Sequence, residues 1–406
     1  MERRVVITGL GIWSCLGTNL DEVRQSLYSG KSGIIFSQAR KDAGFRSALC
    51  ADVPKADLKK YLSRDLRKLM PEEAQYGYLA TIQAMEHAKL DQDFLDQNEV
   101  GVIYGNDSVA EATMTALDKF RQAGSTAACG SGAIFQSMNS TVTMNLATLL
   151  HLRGINLTAS AACASGSHSV GLGYLLIKDG LQDCIICGGA QEANMFSVAS
   201  FDGLMAFSTR EDEPTKASRP FDRDRDGLIP GGGAATLVLE SYEHAVKRGA
   251  PILAEIVGWG FSGNGDHIST PNVAGPTRSL ELCLKNGGIN PRDIGYINAH
   301  ATSTHAGDGR EALAIANIFG DYRVPVTSTK SQTGHEMWMA GASELIYSLL
   351  MMKNDFIAGS LNFENPDDDT ACINVIPETR EAHFDMFLSN SFGFGGTNSS
   401  LIIKNL

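Results

Sequence analysis

Two stretches of this chain share one pattern, in which a short apolar run is followed by small residues and then by a longer apolar stretch. They are INLTASAACASG (155–166) and VPVTSTKSQTGH (324–335), the latter continued by MAGASELIYSLLMM. A glycine-rich segment follows each at a similar distance, GGGAATLVLES (231–241) and GFGGTNSSLIIKNL (393–406). Internal similarity of this kind indicates a duplicated supersecondary unit. The sequence therefore predicts two similar halves that meet near residue 250.

Strand-like and helix-like stretches also alternate along the chain. The strand candidates are short, apolar and largely rich in β-branched residues: RVVITGLGI, VGVIYGND, GINLTAS, DCIICGGA and ATLVLES. The segment EEAQYGYLATIQAMEHAKL has instead the length and composition of a helix. This alternation predicts an α/β fold with largely buried strands. We assign residues 1–250 to the N-terminal half and residues 251–406 to the C-terminal half.

Charge and hydropathy argue against several classes of protein. The formal net charge is −12 and no long basic run is present, which argues against nucleic-acid binding. No segment reaches the roughly 18 uninterrupted apolar residues of a membrane span. The start, MERRVVITGLGIWSC, is broken by glycines and lacks a cleavage pattern, so we expect no signal peptide. Eight scattered cysteines suit a reducing cytoplasm.

Two motifs only partly match metal-binding or dinucleotide-binding patterns. Cys184 and Cys187 form a C-x-x-C inside a strand candidate, where residues three apart point to opposite faces and cannot converge on one ion. GLGIWSCLG has Ser14 where a dinucleotide-binding loop has its third glycine. We therefore predict neither a metal nor a nicotinamide cofactor.

Cys163 lies between an apolar run and a helix candidate, among alanine, serine and glycine. Small neighbours let the backbone turn sharply and let a substrate approach the sulfur closely. The segment SGSHSVGLGYLLIKDG should form a helix ending at Gly180, which would place Cys163 at the positive N-terminus and favour a thiolate. A lone cysteine is more often buried and inert, and this stretch alone does not exclude that role.

Two histidines lie in comparable positions. His300 follows an apolar run in INAHATSTHAGD, and His335 lies in TSTKSQTGHEMW, at the start of a helix candidate. An isolated histidine is usually structural, but three reactive side chains in three strand-to-helix positions favour a shared pocket. His168 and His305 lack this setting, and we assign them structural or peripheral roles.

The segment SNSFGFGGTN (389–398) combines two phenylalanines with three glycines. Glycines let a loop turn tightly and point amides inward, where a backbone N–H can stabilise an oxyanion. A packed turn without any catalytic role would use the same residues, so both interpretations stay open on this segment alone.

These four segments resemble the signature blocks of the β-ketoacyl-acyl carrier protein synthases. The blocks are SAACASGSHS around Cys163, NAHATST…GD around His300, STKSQTGH around His335 and the terminal NSFGFGGTN. Their order and spacing match across nearly the whole chain and are most similar to the bacterial type II synthase I group. The resemblance implies a thiolase-like fold of two duplicated α/β halves, arranged in five α-β-α-β-α layers, and a homodimer.

The resemblance also implies an activity, that of a 3-oxoacyl-acyl carrier protein synthase in fatty acid or related polyene or polyketide biosynthesis. A cysteine takes an acyl group from acyl carrier protein as a thioester. Malonyl-acyl carrier protein then loses CO₂, and its carbanion attacks the thioester in a Claisen condensation that lengthens the chain by two carbons. The substrates stay on the phosphopantetheine of the carrier, so no other cofactor and no metal is implied.

The first implied roles are catalytic. Cys163 is the nucleophile, and its amide forms an oxyanion hole with that of Phe394. His300 and His335 hydrogen-bond the malonyl thioester oxygen and stabilise the enolate formed on decarboxylation.

Lys330 is the residue that the resemblance implies to order the site, with Glu344 as its charge partner. Further implied residues bind substrate or support the site: Thr302 and Thr304 along the pantetheine tunnel, the gatekeeper Phe392 with Gly393 and Gly395, and Asp308 and Glu311 as supports.

The densest basic stretch is KKYLSRDLRKLM (59–70). We predict that Arg64, Arg67 and Lys68 contact the acidic carrier, because an acidic chain needs a local basic patch to bind another acidic protein. Asp65 replaces a basic residue of the family, and a second lysine cluster expected near residues 125–130 is missing. A solvated helix face is the alternative interpretation.

Three departures from the family pattern leave the acyl-chain preference open. Ala301 replaces a glycine, His305 replaces a proline, and EMWM (336–339) replaces smaller residues after the second histidine. A chain-length-factor-like or other condensing-enzyme subunit of the same fold, paired in a heterodimer, is the alternative function. Such subunits usually lose the nucleophile, whereas Cys163 is present here.

Overall fold

The computed structural model describes residues 3–406. The strands in this range are β1 (Val5–Trp13), β2 (Ile34–Phe36), β3 (Leu49–Ala51), β4 (Val100–Gly105), β5 (Asn156–Ala159), β6 (Cys184–Gln191), β7 (Gly233–Ser241), β8 (Ala254–Gly263), β9 (Tyr296–Asn298), β10 (Pro325–Thr327), β11 (Phe356–Ile357), β12 (Asn374–Val375), β13 (Arg380–Glu381), β14 (Met386–Gly393) and β15 (Thr397–Lys404).

The α-helices in the same range are α1 (Leu20–Ser29), α2 (Gln38–Asp42), α3 (Arg64–Arg67), α4 (Glu72–Ala88), α5 (Gln92–Gln97), α6 (Ala110–Ala123), α7 (Ala133–Ser137), α8 (Thr141–Leu149), α9 (Ser165–Lys178), α10 (Ala199–Gly203), α11 (Tyr242–Arg248), α12 (Ala274–Gly287), α13 (His305–Phe319), α14 (Lys330–Thr333) and α15 (Ala340–Lys353). Short 3₁₀ turns occur between them, including Met337–Met339 and Phe394–Gly396. No helix within residues 3–406 is both long enough and apolar enough to cross a bilayer.

Eleven strands form one sheet in the order β12-β10-β9-β14-β15-β8-β1-β7-β6-β4-β5. The order repeats outward from the centre: β1, β7, β6, β4 and β5 in the N-terminal half correspond to β8, β15, β14, β9 and β10 in the C-terminal half, which adds β12 at its outer edge. The directions repeat as well, since β6, β4 and β5 are parallel to one another, as are β14, β9 and β10. The two halves are therefore duplicated units. The division at residue 250 stays a prediction, and that residue lies between α11 and β8.

Helices separate and cover the strands of the two halves. α9 and α15 pack against each other and contact strands of both halves, because α9 touches β6 and β15 while α15 touches β7 and β14. α4 and α8 lie against the N-terminal strands, and α12, which packs against α13, lies against β8 and β15. The result is the five-layered arrangement that the resemblance implies. β1 and β8 join the halves through only three residue pairs, Val5–Ile7 with Ala254–Ile256.

Burial follows from these layers. Nearly all of α15 is buried, as expected for a helix enclosed between two layers of strands. Cys184 and Cys187 both lie in β6, but they belong to different apolar clusters of the core. They therefore point to opposite faces of the strand, as the sequence predicted.

Candidate active site

The three side chains singled out from the sequence lie together. Cys163 follows β5, His300 follows β9, and His335 follows β10 and the short helix α14. The cysteine sulfur and an imidazole nitrogen of each histidine lie within 4.8 Å of one another. All three residues are buried, with exposed fractions of 5%, 9% and 2%. Parallel strands that end near one another bring together residues far apart in sequence.

The backbone turns sharply just before Cys163. Ala162 has a φ of 47°, in the left-handed region that costs a residue with a side chain roughly 1–3 kcal/mol. The Ala162 N–H donates to Oδ2 of Asp107 at 2.8 Å, and Ser165 Oγ donates to the Ala162 carbonyl at 2.6 Å. These bonds hold the turn. α9 then begins at Ser165 and ends at Lys178, two residues before the predicted end at Gly180, whose φ is 77°.

Cys163 is less acidic than its place before a helix suggests. Burial raises the pKa of the Cys163 thiol to about 12. The Lys330 ammonium and the backbone N–H groups of Phe394 and Cys163 lower this pKa in part, because they stabilise the thiolate. The expectation that the helix N-terminus would favour a thiolate is therefore wrong for this site, where desolvation outweighs the favourable charges.

His335 is oriented as a hydrogen-bond donor. Its backbone N–H donates to the Ile229 carbonyl at 2.6 Å, and its own carbonyl accepts from Gly231 N–H at 2.7 Å. Nδ1 accepts the N–H of Met337 at 3.3 Å, so Nε2 carries the hydrogen of the neutral ring. Burial and then the charge of Lys330 hold the pKa of His335 well below its usual range. Nε2 has no partner within residues 3–406.

His300 is held through its backbone. The N–H groups of His300 and Ala301 donate to the two carboxylate oxygens of Glu311 at 2.9 and 2.7 Å. Burial, with smaller effects from Lys330 and His335, lowers the pKa of His300 well below its usual range. Its ring meets that of His335 edge to face, with centroids 5.3 Å apart. Both rings are therefore neutral near pH 7.

Lys330 and Glu344 form a buried ion pair behind the three reactive residues, as the resemblance implies. Their side chains are only 2% and 1% exposed. Burial raises the pKa of Glu344, and the Lys330 charge opposes that shift. The same charge lowers the pKa values of Cys163, His300 and His335. Lys330 thus supplies positive potential to the whole site.

The turn Phe394–Gly396 directly follows β14. Gly395 has a φ of 74°, which allows the chain to reverse and return as β15. A side chain at Gly393 would place its Cβ 2.9 Å from the Ala161 carbonyl, so the turn approaches the cysteine loop closely. The backbone N–H of Phe394 lowers the pKa of the Cys163 thiol.

A cavity of about 310 Å³ reaches the three reactive residues. The predicted substrate-binding residues Thr302, Thr304, Phe392 and Gly393 line it, together with Phe394. The hydroxyl oxygens of Thr302 and Thr304 lie 3.1 Å apart, and the ring of Phe392 lies 6.1 Å from that of His300. Gly395 does not line this cavity, and its N–H instead donates to the Ile268 carbonyl at 2.7 Å.

Asp308 supports the site from outside the cavity. Its carboxylate accepts hydrogen bonds from the backbone N–H groups of Phe221 at 2.8 Å and Thr304 at 3.3 Å. Burial raises the pKa of Asp308 to about 6, and the Phe221 N–H and the charge of Arg225 oppose that shift. Asp308 thus fixes the loop that carries Thr304.

The basic residues predicted to bind the carrier lie at the surface, away from the cavity lining. Arg64 and Lys68 are exposed, and Arg67 is partly buried with its Nε donating to the Leu62 carbonyl at 3.2 Å. Lys68 also pairs with Asp65 at 3.0 Å. The helix over this stretch, α3, is only four residues long. The basic patch, defined as Lys55, Lys59, Arg64, Arg67 and Lys68, lines one surface depression.

Three further residues lie near the sulfur, and of these the sequence had drawn attention only to Trp338, as part of the EMWM segment. Asp107 fixes the turn at Ala162, and its position directly after the buried strand β4 was an available signal. Phe201 stacks on Phe394 with ring centroids 6.0 Å apart. Trp338 packs in the same buried apolar cluster as Cys163. Nothing in the local sequence placed Phe201 or Trp338 beside the cysteine.

The cysteine and the two histidines lie as close together as the ligands of a single metal ion. His335 does not fit that role in its present orientation. Because Nδ1 accepts a backbone N–H, the opposite nitrogen carries the hydrogen and offers no lone pair to a metal. The donor set suits hydrogen bonding to a substrate better than metal ligation.

Comparison with protein families decides which class of site this is. Residues 2–245 match the N-terminal domain of the beta-ketoacyl synthases, and residues 253–364 match their C-terminal domain. The chain belongs to the β-ketoacyl synthase family. Relatives in this family are named 3-oxoacyl-acyl carrier protein synthases, so the chain is a condensing enzyme of the acyltransferase type.

Named relatives span the whole ketosynthase chain. A 3-oxoacyl-[acyl-carrier-protein] synthase 1 of Haemophilus influenzae is 41% identical over 99% of this chain and 99% of its own length. The synthase 1 of Escherichia coli is 39% identical over 100% and 99% of the two chains. A 3-oxoacyl-[acyl-carrier-protein] synthase 2 of Vibrio cholerae is 35% identical over the full length of both.

Solved ketosynthase structures have the same thiolase-like fold. A beta-ketoacyl synthase of Burkholderia phymatum superposes with a TM-score of 0.96 and 37% identity over all of both chains. The ishigamide ketosynthase/chain length factor gives a TM-score of 0.91 and 31% identity, again over both full chains. A type II polyketide ketosynthase in complex with its acyl carrier protein gives 0.89 and 28%, with the same coverage.

Proposed function

We propose that this ketosynthase is a 3-oxoacyl-acyl carrier protein synthase that elongates acyl chains in fatty acid biosynthesis. One observation carries the proposal. The Cys163 sulfur and an imidazole nitrogen of each of His300 and His335 lie within 4.8 Å of one another, and all three residues line the same cavity. Full-length similarity to 3-oxoacyl-acyl carrier protein synthases supports the same activity.

Acyl transfer uses Cys163 as the nucleophile. The sulfur attacks the acyl thioester of the carrier, a new S–C bond forms, and the bond to the pantetheine sulfur breaks. The proton of the Cys163 thiol passes to the departing pantetheine sulfur. The step therefore balances when Cys163 starts as a thiol, the form that its high pKa favours. The N–H groups of Cys163 and Phe394 both act on this sulfur, and they are placed to stabilise the oxyanion of the tetrahedral intermediate.

Decarboxylation of the malonyl group uses the two neutral histidines. The C–C bond to CO₂ breaks, and its electron pair moves into the enolate of the remaining thioester. The Nε2–H of His335 has no protein partner and can donate to the developing enolate oxygen. We assign His300 the same role, because its ring lies 5.3 Å from that of His335, between centroids. Such bonds strengthen as charge develops, which is what accelerates the step.

Condensation completes the cycle. The enolate carbon attacks the acyl carbon on Cys163, a C–C bond forms, and the cysteine leaves as a thiolate, which takes up a proton from solvent to regenerate the thiol. Lys330 provides the nearby positive charge that stabilises this thiolate. The 3-oxoacyl product remains on the carrier, two carbons longer than the acyl group that entered.

The carrier is the proposed partner, and we propose that it docks on the basic patch. Five lysine and arginine residues surround one depression there, in a chain whose net charge is −12. A local patch of this sign is what an acidic partner needs. The related polyketide ketosynthase solved with its acyl carrier protein supports a carrier partner in general.

We also propose a homodimer. α6 and α7 contain no buried residue within the described chain, and β5 is the outermost strand of the large sheet. This region exposes a set of large apolar side chains: Met114, Leu117, Phe120, Ile134, Phe135, Met138 and Leu157. An apolar face beside an unpaired strand edge favours burial against a second copy. The ketosynthase/chain length factor relative makes a heterodimer the competing arrangement.

We place the enzyme in the cytoplasm, because its eight scattered cysteines suit a reducing compartment. We also propose that it uses no metal or redox cofactor, because side chains, backbone amides and the thioester itself perform every step above. The hydrogen-bonding orientation of His335 supports the absence of a metal in the cycle.

The test is to give the purified protein labelled malonyl- and acyl-carrier protein and to measure the mass of the product. We expect CO₂ release and a product two carbons longer than the acyl donor. A chain-length-factor-like subunit would form neither without a separate ketosynthase, and the presence of Cys163 argues against that role.

A further inference from the structure

An acyl group on Cys163 needs an apolar surface beside the sulfur. Cys163 belongs to a small buried apolar cluster, which we call the acyl-side cluster. Its buried members besides the cysteine are Val198, Phe207, Leu228, Met337 and Trp338. This surface is therefore the part of the protein that the first carbons of an acyl chain would contact.

Trp338 is the largest side chain of the acyl-side cluster and is only 7% exposed. Its indole Nε1–H donates to Ser108 Oγ at 3.2 Å. Its ring lies 6.3 Å from that of Phe201, between centroids. The indole is thus held by a hydrogen bond and by an aromatic neighbour, and it does not line the cavity that reaches Cys163.

The backbone at Trp338 packs closely against β6 and α9. A Cβ on Gly189 of β6 would lie 2.6 Å from the Trp338 carbonyl oxygen, and one on Gly166 of α9 would lie 2.9 Å from it. The preceding residue, Met337, has a φ of 47° and donates its N–H to His335. Space at this part of the acyl-side cluster is therefore made by moving or shortening the indole side chain rather than by shifting the backbone that carries it.

We propose that Trp338 limits the length of the acyl chain that Cys163 accepts. The inference rests on the proposed condensing activity and names the substrate class of that site as short acyl thioesters. A short acyl group fits against the acyl-side cluster as it stands. A long chain has to displace the indole and break its bond to Ser108, which costs transition-state stabilisation for every long substrate.

The experiment compares acyl donors of increasing length, from butanoyl to hexadecanoyl thioesters of the carrier, on the full-length protein. The rate of adduct formation on Cys163 is followed by intact mass for wild type, Trp338→Ala and Trp338→Leu. We expect wild type to prefer butanoyl over hexadecanoyl and both variants to reduce that ratio, by roughly tenfold or more for Trp338→Ala. The leucine variant keeps apolar packing if the alanine variant does not fold.

Trp338→Phe is the matched control, because it keeps most of the bulk but lacks the indole N–H. It should weaken the length preference less than Trp338→Leu does, because an aromatic ring still occupies the space and only the bond to Ser108 is lost. Equal loading of butanoyl and hexadecanoyl by wild type would overturn the inference, as would unchanged ratios in Trp338→Leu or a full shift in Trp338→Phe. If wild type forms no acyl adduct and releases no CO₂ from malonyl-carrier protein, the proposed function itself fails and this inference with it.

Discussion

The backbone N–H of Met337 donates a hydrogen bond of 3.3 Å to Nδ1 of His335. This one contact sets the tautomer of the ring, so that Nε2 carries the hydrogen. Met337 also lies in the left-handed region and directly precedes Trp338. The same turn therefore orients His335, to which we assign enolate stabilisation, on one side and Trp338 on the other.

We predict that His335→Ala and His300→Ala each still form the acyl adduct on Cys163 but lose CO₂ release from malonyl-carrier protein. The loss should be roughly 10²- to 10³-fold, as for removal of a donor to an oxyanion. Quantification of labelled CO₂ and intact mass of the same samples separate the two steps. His335→Gln should retain part of the activity, because its amide can donate a hydrogen bond.

His305→Ala is the matched control for the histidine variants, since His305 is exposed and does not line the cavity. It should decarboxylate at the wild-type rate. Normal CO₂ release by either His300→Ala or His335→Ala would contradict the role assigned to that residue.

Cys163→Ala should abolish condensation while the fold survives. The substitution removes the nucleophile from a site already lined by small residues, so the free energy of unfolding should change by no more than about 1 kcal/mol. Intact-mass spectra of wild type with acyl-carrier protein should show one acyl group, and peptide mapping should place it on Cys163. An adduct on Cys129 or Cys187 would show that the nucleophile has been misassigned.

The sequence predicted the parts of the site that depend on local pattern. The turn at Cys163 and the start of α9 follow from small residues between an apolar run and a helix. The sequence did not predict the raised pKa of Cys163, because the pKa of a thiol depends on burial by distant segments as much as on the helix that follows it. The EMWM segment was noted in the sequence, but the packing of Trp338 in one cluster with Cys163 was not predicted, since packing between two halves has no signature in either segment alone.

Glu336 should make stability depend on pH. Burial raises its pKa from 4.5 to about 7, against hydrogen bonds from Ser343 at 2.5 Å and Tyr347 at 2.8 Å. Between these pH values the folded chain holds a proton that the unfolded chain has released. The contribution of Glu336 to the free energy of unfolding therefore falls as pH rises from about 4.5 to about 7, by at most about 1.4 kcal/mol per pH unit, and is level above.

Denaturant unfolding at several pH values tests this dependence. Glu336→Gln should lose less stability than wild type between about pH 5 and about pH 7, because one titration has been removed. Glu243→Gln, at an exposed position on α11, is the control and should retain the wild-type slope. If the free energy of unfolding of Glu336→Gln falls with pH as steeply as that of wild type, Glu336 is ionised in the folded chain.

Association of two copies should depend on the apolar face beside β5. Phe135 is 50% exposed and Leu157, on the outermost strand, is 43% exposed. Phe135→Asp combined with Leu157→Asp should shift the mass measured by light scattering from the dimer toward the 43.5 kDa monomer. Leu181→Asp, at a residue 67% exposed outside this face, should leave the dimer intact. A double variant that stays dimeric would place the interface elsewhere.

Carrier docking should depend on the charge of the basic patch. Arg64→Glu combined with Lys68→Glu should raise the KM for carrier-bound substrates, because the long-range repulsion between two acidic proteins would no longer be offset locally. The effect should weaken at high salt, since exposed charges are screened beyond about 8–10 Å at moderate ionic strength. Initial rates with acyl- and malonyl-carrier protein at several salt concentrations provide the measurement.

A small acyl-pantetheine mimic separates docking from damage to the site, because it reaches Cys163 through the cavity without touching the patch. The charge-reversal variant should use this mimic as well as wild type does. Lys247→Glu, a reversal at an exposed position on α11, provides the matched surface control and should leave both KM values unchanged. Equal losses on the carrier-bound substrate and on the mimic would mean that the substitutions had altered the fold or the cavity. In that case the basic patch would be a solvated surface rather than the docking site.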